Sequence, residues 1–266
     1  MELISSGQNP KIKELLALQE KSRERRKAGL FVVEGRRELA QCLAAGFEPD
    51  TVFICPEIHD SDSEPDGEFC GAKVFRVSGE VYEKIAYRGG TEGVIAEIKH
   101  KERRLEDIIL GENPLVIVLE SVEKPGNLGA VLRSADAAGA DAVIICDPLT
   151  DLYNPNLIRA SLGSVFTRQV AAATSEDTIA WLKTKGLRVL TAQLQDSSLY
   201  YDTPMTGPTA IVMGTESTGL TGIWREAADH RIRIPMLGQL DSLNVSVSAS
   251  ILLFEAVRQR QSVADK

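Results

Sequence analysis

From residue 115 to residue 259 the chain alternates short apolar runs with stretches of helical length, and this alternation constrains the fold more than any other feature. The runs predict strands at Leu115–Leu119, Ala142–Cys146, Arg168–Ala172, Leu187–Gln193, Thr209–Met213 and His230–Ile234. Helices are expected at Asn127–Ala138, Asn156–Val165, Ser175–Lys185, Thr221–Ala227 and Asn244–Gln259. Apolar strands joined through such helices build a mostly parallel sheet covered on both faces. The last strand should stop at Pro235, which has no N–H to give a ladder. Ser242 or Asn244 can then cap the final helix, where Val245, Val247, Ile251, Leu252, Phe254 and Val257 recur near helical spacing.

A smaller α/β unit precedes this region. One polar helix is expected over 9–27 with Gly29 ending it, followed by a strand at Leu30–Val33 and a helix over 34–46. Strands at Thr51–Cys55, Val74–Val77 and Val94–Ile98 and a helix at Gly79–Ala86 complete it. The charged connector Lys99–Arg104 lies before Asn113-Pro114, so the domains are expected at 1–104 and 113–266. A chain of 266 residues is long enough for both.

The net charge of −8 argues at first against a nucleic-acid partner, but its distribution matters more than its sum. Residues 11–37 hold nine Lys/Arg against four Glu, whereas residues 57–68 hold six Asp/Glu and no base and are expected to be a loop. Arg23, Arg25, Arg26 and Lys27, with Arg36 nearby, are the candidate phosphate contacts. A charge run of this kind equally suits a solvated helix face. Cys42, Cys55, Cys70 and Cys146 form no C-x-x-C pair, and His59, His100 and His230 are far apart in sequence. No zinc-type spacing exists, so no metal is expected, and free thiols fit a reducing cytosol. The start carries no signal-peptide pattern and no apolar run approaches 18 residues, which predicts a soluble, cytoplasmic protein.

In open α/β sheets ligands bind beyond the carboxyl ends of strands. Three strand ends here carry unusual loops. The first, after Leu119, holds Asn127, read as a helix cap, and Arg133 about one and a half turns later. It lacks G-x-G-x-x-G, so a dinucleotide site is weakly supported. The second is Met213-Gly-Thr-Glu-Ser-Thr-Gly-Leu220, whose glycines allow close backbone approach and whose Glu216 brings a charge into the crevice. The third runs from Ile234 to Asn244 into a helix whose first turns, with Ser246, Ser248, Ala249 and Ser250, are small and polar.

Together and in this order, the three loops resemble the signature of the SpoU/TrmH family of RNA ribose 2′-O-methyltransferases, in the SPOUT group. The resemblance spans residues 115–260, and the front unit is similar to the ribosomal-protein-like RNA-binding domain often attached to such enzymes. It implies a homodimer, a deep C-terminal trefoil knot and S-adenosylmethionine as methyl donor. Asn127, Arg133, Glu216, Ser242 and Asn244 are then the implied catalytic set, and Met213, Gly214, Ile234, Met236 and Leu243 the implied cofactor positions. Ser217 departs from the family, which usually has Gly there, and Glu123 replaces a commoner Asp. Ribosomal RNA is the expected substrate, because the extra domain suits a large structured target. The alternatives are a tRNA substrate or a catalytically idle RNA-binding factor, and the intact set of five residues argues against the latter.

Overall fold

The structure, a computed structural model, describes residues 2–58, 69, 71–87 and 92–264. His59, Cys70 and the acidic segment from 59 to 68 lie outside the described residues. In chain order the first elements are β1 (Glu2–Ile4), α1 (Pro10–Glu20), α2 (Ser22–Ala28), β2 (Leu30–Glu34), α3 (Arg36–Ala44), β3 (Pro49–Ile54), β4 (Lys73–Val77), α4 (Gly79–Ile85) and β5 (Val94–Lys99). Then come β6 (Leu115–Glu120), α5 (Pro125–Ala137), β7 (Ala142–Cys146), α6 (Pro155–Ala160), α7 (Ser164–Thr167), β8 (Gln169–Ala173) and α8 (Ser175–Thr184). The chain continues through β9 (Arg188–Ala192), β10 (Ser198–Leu199), β11 (Thr209–Met213), α9 (Gly222–Ala227), β12 (His230–Arg233) and α10 (Val245–Ala264). It divides into two compact units, Met1–Lys101 with Asp151–Gly163, and Glu102–Thr150 with Ser164–Lys266.

The first unit is a mixed sheet in the order β1-β4-β3-β5-β2, parallel from β1 to β3 and antiparallel from β3 through β5 to β2. Ile12, Leu15 and Leu18 of α1 pack with Val81, Tyr82 and Ile85 of α4 onto Val32, Phe53 and Ile95. The single helix expected over 9–27 is two helices, separated where Lys21 becomes extended (φ −118°, ψ 114°). Arg25 supplies the physical reason. Its guanidinium, 2% exposed, donates to the carbonyls of Leu18 and Gln19, satisfying acceptors that a continued helix would have used.

The expectation that 113–266 forms one unbroken unit is corrected by Asp151–Gly163, which belongs to the first unit. Asp151 accepts from Arg25 Nε at 2.7 Å, and the Tyr153 ring stacks on Phe31 with centroids 4.2 Å apart. The helix expected over Asn156–Val165 is broken into α6 and α7 because Leu162 (φ 50°) and Gly163 (φ 80°) are left-handed. β1 and β10, three and two residues long, were too short to show a sequence period.

The second unit is a seven-stranded, entirely parallel sheet in the order β10-β12-β9-β11-β6-β7-β8. Every residue of β6, β7 and β11 is buried, which is why these strands read as continuous apolar runs instead of alternating ones. Trp181, Leu182 and Trp224 of α8 and α9 pack on Val116, Val118, Ile144 and Val212. The alternate side chains Ile117, Leu119, Ile145 and Ile211 are equally buried. α5 and α10 lie side by side, joined by the Ser134 and Ser250 hydroxyls 2.7 Å apart. No helix among the described residues is long and apolar enough to cross a membrane.

Candidate active site

The three loops leave the carboxyl ends of β6, β11 and β12, where an open parallel sheet places its ligands. After β6, α5 begins at Pro125, a residue pre-set for the first helical position, with Lys124 in the capping position. Asn127 therefore lies inside the first turn and does not cap the helix as its type suggested. Its amide is free to turn sideways. Nδ2 donates to Glu216 Oε1 at 3.1 Å, and Oδ1 accepts from Asn244 Nδ2 at 3.1 Å.

The loop after β11 closes on itself. Gly219 N–H donates to the Thr215 carbonyl at 3.0 Å, and the Thr215 hydroxyl accepts from Thr218 N–H at 3.1 Å. Gly214 is required by close approach, since a Cβ there would stand 2.3 Å from the Gly219 carbonyl carbon. Ser217, at the position where the family usually has Gly, lies outside the left-handed region, so the loop does not need glycine there. At the tip, Glu216 is presented toward the start of α10.

Asn244 sits immediately before that helix and does cap it, its Oδ1 accepting from Ser246 N–H at 2.9 Å. Its Nδ2 donates to Glu216 Oε1 at 2.7 Å, and Val245 N–H donates to the same oxygen at 3.1 Å. One carboxylate oxygen of the second loop thus gathers donors from the first and third, tying all three together. The negative charge also rests at the N-terminus of a 20-residue helix, where the peptide dipoles favour it. Lys124 was not singled out from sequence, yet its Nζ lies 3.6 Å from Glu216 Oε2. Its place three positions before Asn127 was the available signal.

Beside this node is a cleft of about 370 Å³, within the size range of small-molecule sites. Met213, Gly214, Ile234, Met236 and Leu243 all line it, as do Glu216 and Ser242. Its lining mixes apolar side chains with Glu216, Asp241, Arg225 and Arg233, a surface that suits a ligand joining a flat heterocycle to charged groups of both signs, as S-adenosylmethionine does. Arg133 stands apart. It is exposed on α5, does not line the cleft, and takes no part in the bonds that join Asn127, Glu216 and Asn244. In the first unit, Arg23, Arg26, Lys27 and Arg36 are exposed, but Arg25 is buried against Asp151 and is removed from the phosphate-contact set.

Residues 114–254, which contain all three loops, match the SpoU rRNA Methylase family. The chain belongs to that family. Residues 9–96 of this SpoU methylase match the MRM3-like substrate binding domain. It is 29% identical over 255 residues to 23S rRNA (guanosine(2553)-2′-O)-methyltransferase RlmP of Bacillus subtilis, covering 96% of this chain and 98% of that one. It is 41% identical over 176 residues to 23S rRNA (guanosine-2′-O-)-methyltransferase RlmB of Photobacterium profundum, covering 64% of this chain and 72% of that one. Among solved structures, the AdoMet-bound rRNA methyltransferase from Sinorhizobium meliloti superposes with a TM-score of 0.88 at 31% identity, covering 97% of each chain. Among the described residues of this SpoU methylase, no group of three His, Cys, Asp or Glu is placed to hold a metal ion.

Proposed function

We propose that this SpoU methylase transfers a methyl group from S-adenosylmethionine to a ribose 2′-hydroxyl of ribosomal RNA. The observation that carries this reading is the Glu216 node: Glu216 lines the cleft, and its Oε1 holds the Asn127 and Asn244 amides beside it. The bound donor supplies a methyl group already activated on a cationic sulfur. The task left to the protein is to align the hydroxyl, exclude water and stabilise the oxygen as its proton leaves. Glu216 Oε1 is engaged by three donors, so its role is to hold the two amides in place. Arg133, permanently protonated, stabilises the developing alkoxide and anchors the neighbouring phosphate, and that phosphate or a water takes the proton.

The exposed position of Arg133 fits a homodimer with a shared site. Leu237 (97% exposed), Leu240, Leu243, Val247 and Phe254 offer an apolar surface along the third loop and α10 for the second copy. Within this reading the C-terminal region forms the family's trefoil knot, the first unit grips RNA through Arg23, Arg26, Lys27 and Arg36, and the protein works in the cytoplasm. Ribose methylation mapped in RNA from cells with and without the protein tests the assignment. One ribosomal 2′-O-methyl mark should disappear. A loss confined to tRNA would overturn the substrate, and no loss anywhere would overturn the activity. A monomer in light scattering at micromolar concentration would overturn the dimer and the shared site.

A further inference from the structure

Glu120 closes β6, and its side chain is buried (3% exposed), a costly place for a carboxylate unless its oxygens are well paired. Both are taken by one residue. Oε2 accepts from Thr221 N–H at 2.8 Å, and Oε1 accepts from the Thr221 hydroxyl at 2.6 Å. Thr221 is the capping residue of α9, but its hydroxyl makes no cap bond to its own helix and is turned wholly to Glu120.

The location gives this pair its consequence. Leu119 is registered against Met213, so Glu120 stands level with the point where β11 becomes the Glu216 loop. That loop has two feet. One is Gly214, continuous with the sheet. The other is the Gly219–Leu220 peptide, pressed against Gly214 by the contact that leaves no room for a Cβ, and it leads directly into Thr221. The sheet holds the first foot and Glu120 holds the second. Glu120 is also the last residue before the connection to Asn127, so one buried carboxylate joins the root of the first loop to the far end of the second.

We propose that Glu120 is a positioning residue for the methyl-transfer site, acting through Thr221 to set where Glu216 meets Asn127 and Asn244. This rests on the methyltransferase reading. Glu120 itself neither lines the cleft nor bonds to any of those three residues. The pairing geometry, and not the charge, is what matters. In a Glu120→Gln variant, the amide oxygen can accept from Thr221 N–H while the amide N–H donates to the Thr221 hydroxyl, because a hydroxyl serves in either role.

The test is steady-state methylation of ribosomal RNA, with RNA varied at saturating S-adenosylmethionine, alongside calorimetry with S-adenosylhomocysteine. Glu120→Ala should lower kcat by about tenfold or more, the scale of a sub-ångström to ångström misplacement, with KM for RNA unchanged. Glu120→Gln should restore turnover close to wild type. Wild-type kcat in Glu120→Ala, or a Glu120→Gln enzyme as slow as Glu120→Ala, would overturn the proposal. If Glu120→Ala does not fold, Thr221→Val decides: it removes the hydroxyl bond alone, so it should lower the melting temperature but remain folded at the assay temperature, and should cost about threefold or more in kcat there. Unaltered kcat in that variant would overturn the proposal. A wild-type protein that neither binds S-adenosylhomocysteine nor methylates RNA would instead remove the functional reading, and this one with it.

Discussion

Replacing Gly214 with Ala isolates the packing of the Glu216 loop from its conformation. The new Cβ would lie 2.3 Å from the Gly219 carbonyl carbon and oxygen and 2.6 Å from Leu220 N, all of them backbone atoms that cannot swing aside. Ordinary contact begins at 3.4 Å, so the far foot of the loop must retreat by about 1.1 Å. That retreat strains the Gly219–Thr215 hydrogen bond and pulls on Thr221, which Glu120 holds. Overpacking of this kind costs roughly 1–3 kcal/mol. Borne by the ligand-ready form of the loop, that cost weakens S-adenosylhomocysteine binding by roughly 5–150-fold in calorimetry. Turnover should fall on the order of 100-fold, the scale of a 1 Å misplacement. Gly219→Ala is the control. Its Cβ meets nothing within 4 Å, but φ is +67°, so its cost is the left-handed penalty of about 1–2 kcal/mol without intrusion. If Gly214→Ala bound as tightly as wild type, or lost less affinity than Gly219→Ala, the close approach at Gly214 would not be what shapes the cleft.

Arg133→Ala should lower turnover by roughly 100-fold while cofactor affinity stays at the wild-type value, and activity near wild type would remove Arg133 from the site. Changing Arg23, Arg26 and Lys27 together to Gln should flatten the salt dependence of RNA binding by about two units of slope, and an unchanged slope would make the cluster a solvated face. Arg25→Gln should behave differently, lowering stability by about 3–5 kcal/mol in denaturant unfolding because it leaves Asp151 without its buried partner. Burial, with Glu14 on α1 and Asp50 beside it outweighing Lys11, pushes the Glu97 carboxyl up to about 7, and the neighbouring Thr51 hydroxyl donates to Asp50 instead. The folded state then holds a proton that the unfolded chain has released, so stability should fall as pH rises from about 4.5 to 7 and level off above. Glu97→Gln should abolish that slope in pH-dependent thermal unfolding, and an unchanged slope would place the titration elsewhere.

Much of the second unit was legible because its chemistry is local. β6, β7 and β11 are buried along their whole length, so only apolar residues are tolerated there, and their runs mark both strand and parallel sheet. The loop order was legible for a similar reason: Gly214, Glu216 and Asn244 are residue types that a tight turn, an anion at a helix start and a cap each require. What the site does with them was not local. Asn127 resembles a cap in sequence, but Pro125 starts the helix two residues earlier and leaves the amide to Glu216 and Asn244, 89 and 117 positions away.

The same limit governs the charged residues. Arg23, Arg25, Arg26 and Lys27 are indistinguishable by composition, and only the path of α2 beneath Leu18 and Asp151 makes one of them a buried strut. Segment Asp151–Gly163 joins the first unit through Asp151 and the Tyr153 ring, partners that lie more than a hundred residues upstream. Glu120 ends an apolar strand, and nothing around it in sequence announces a bond to Thr221, 101 positions on. Burial of short runs is written in residue type and period, so the sequence by itself determined the layered sheet and its loops. Pairing between distant polar groups depends on which elements cross, and that was decided only when the chain was packed.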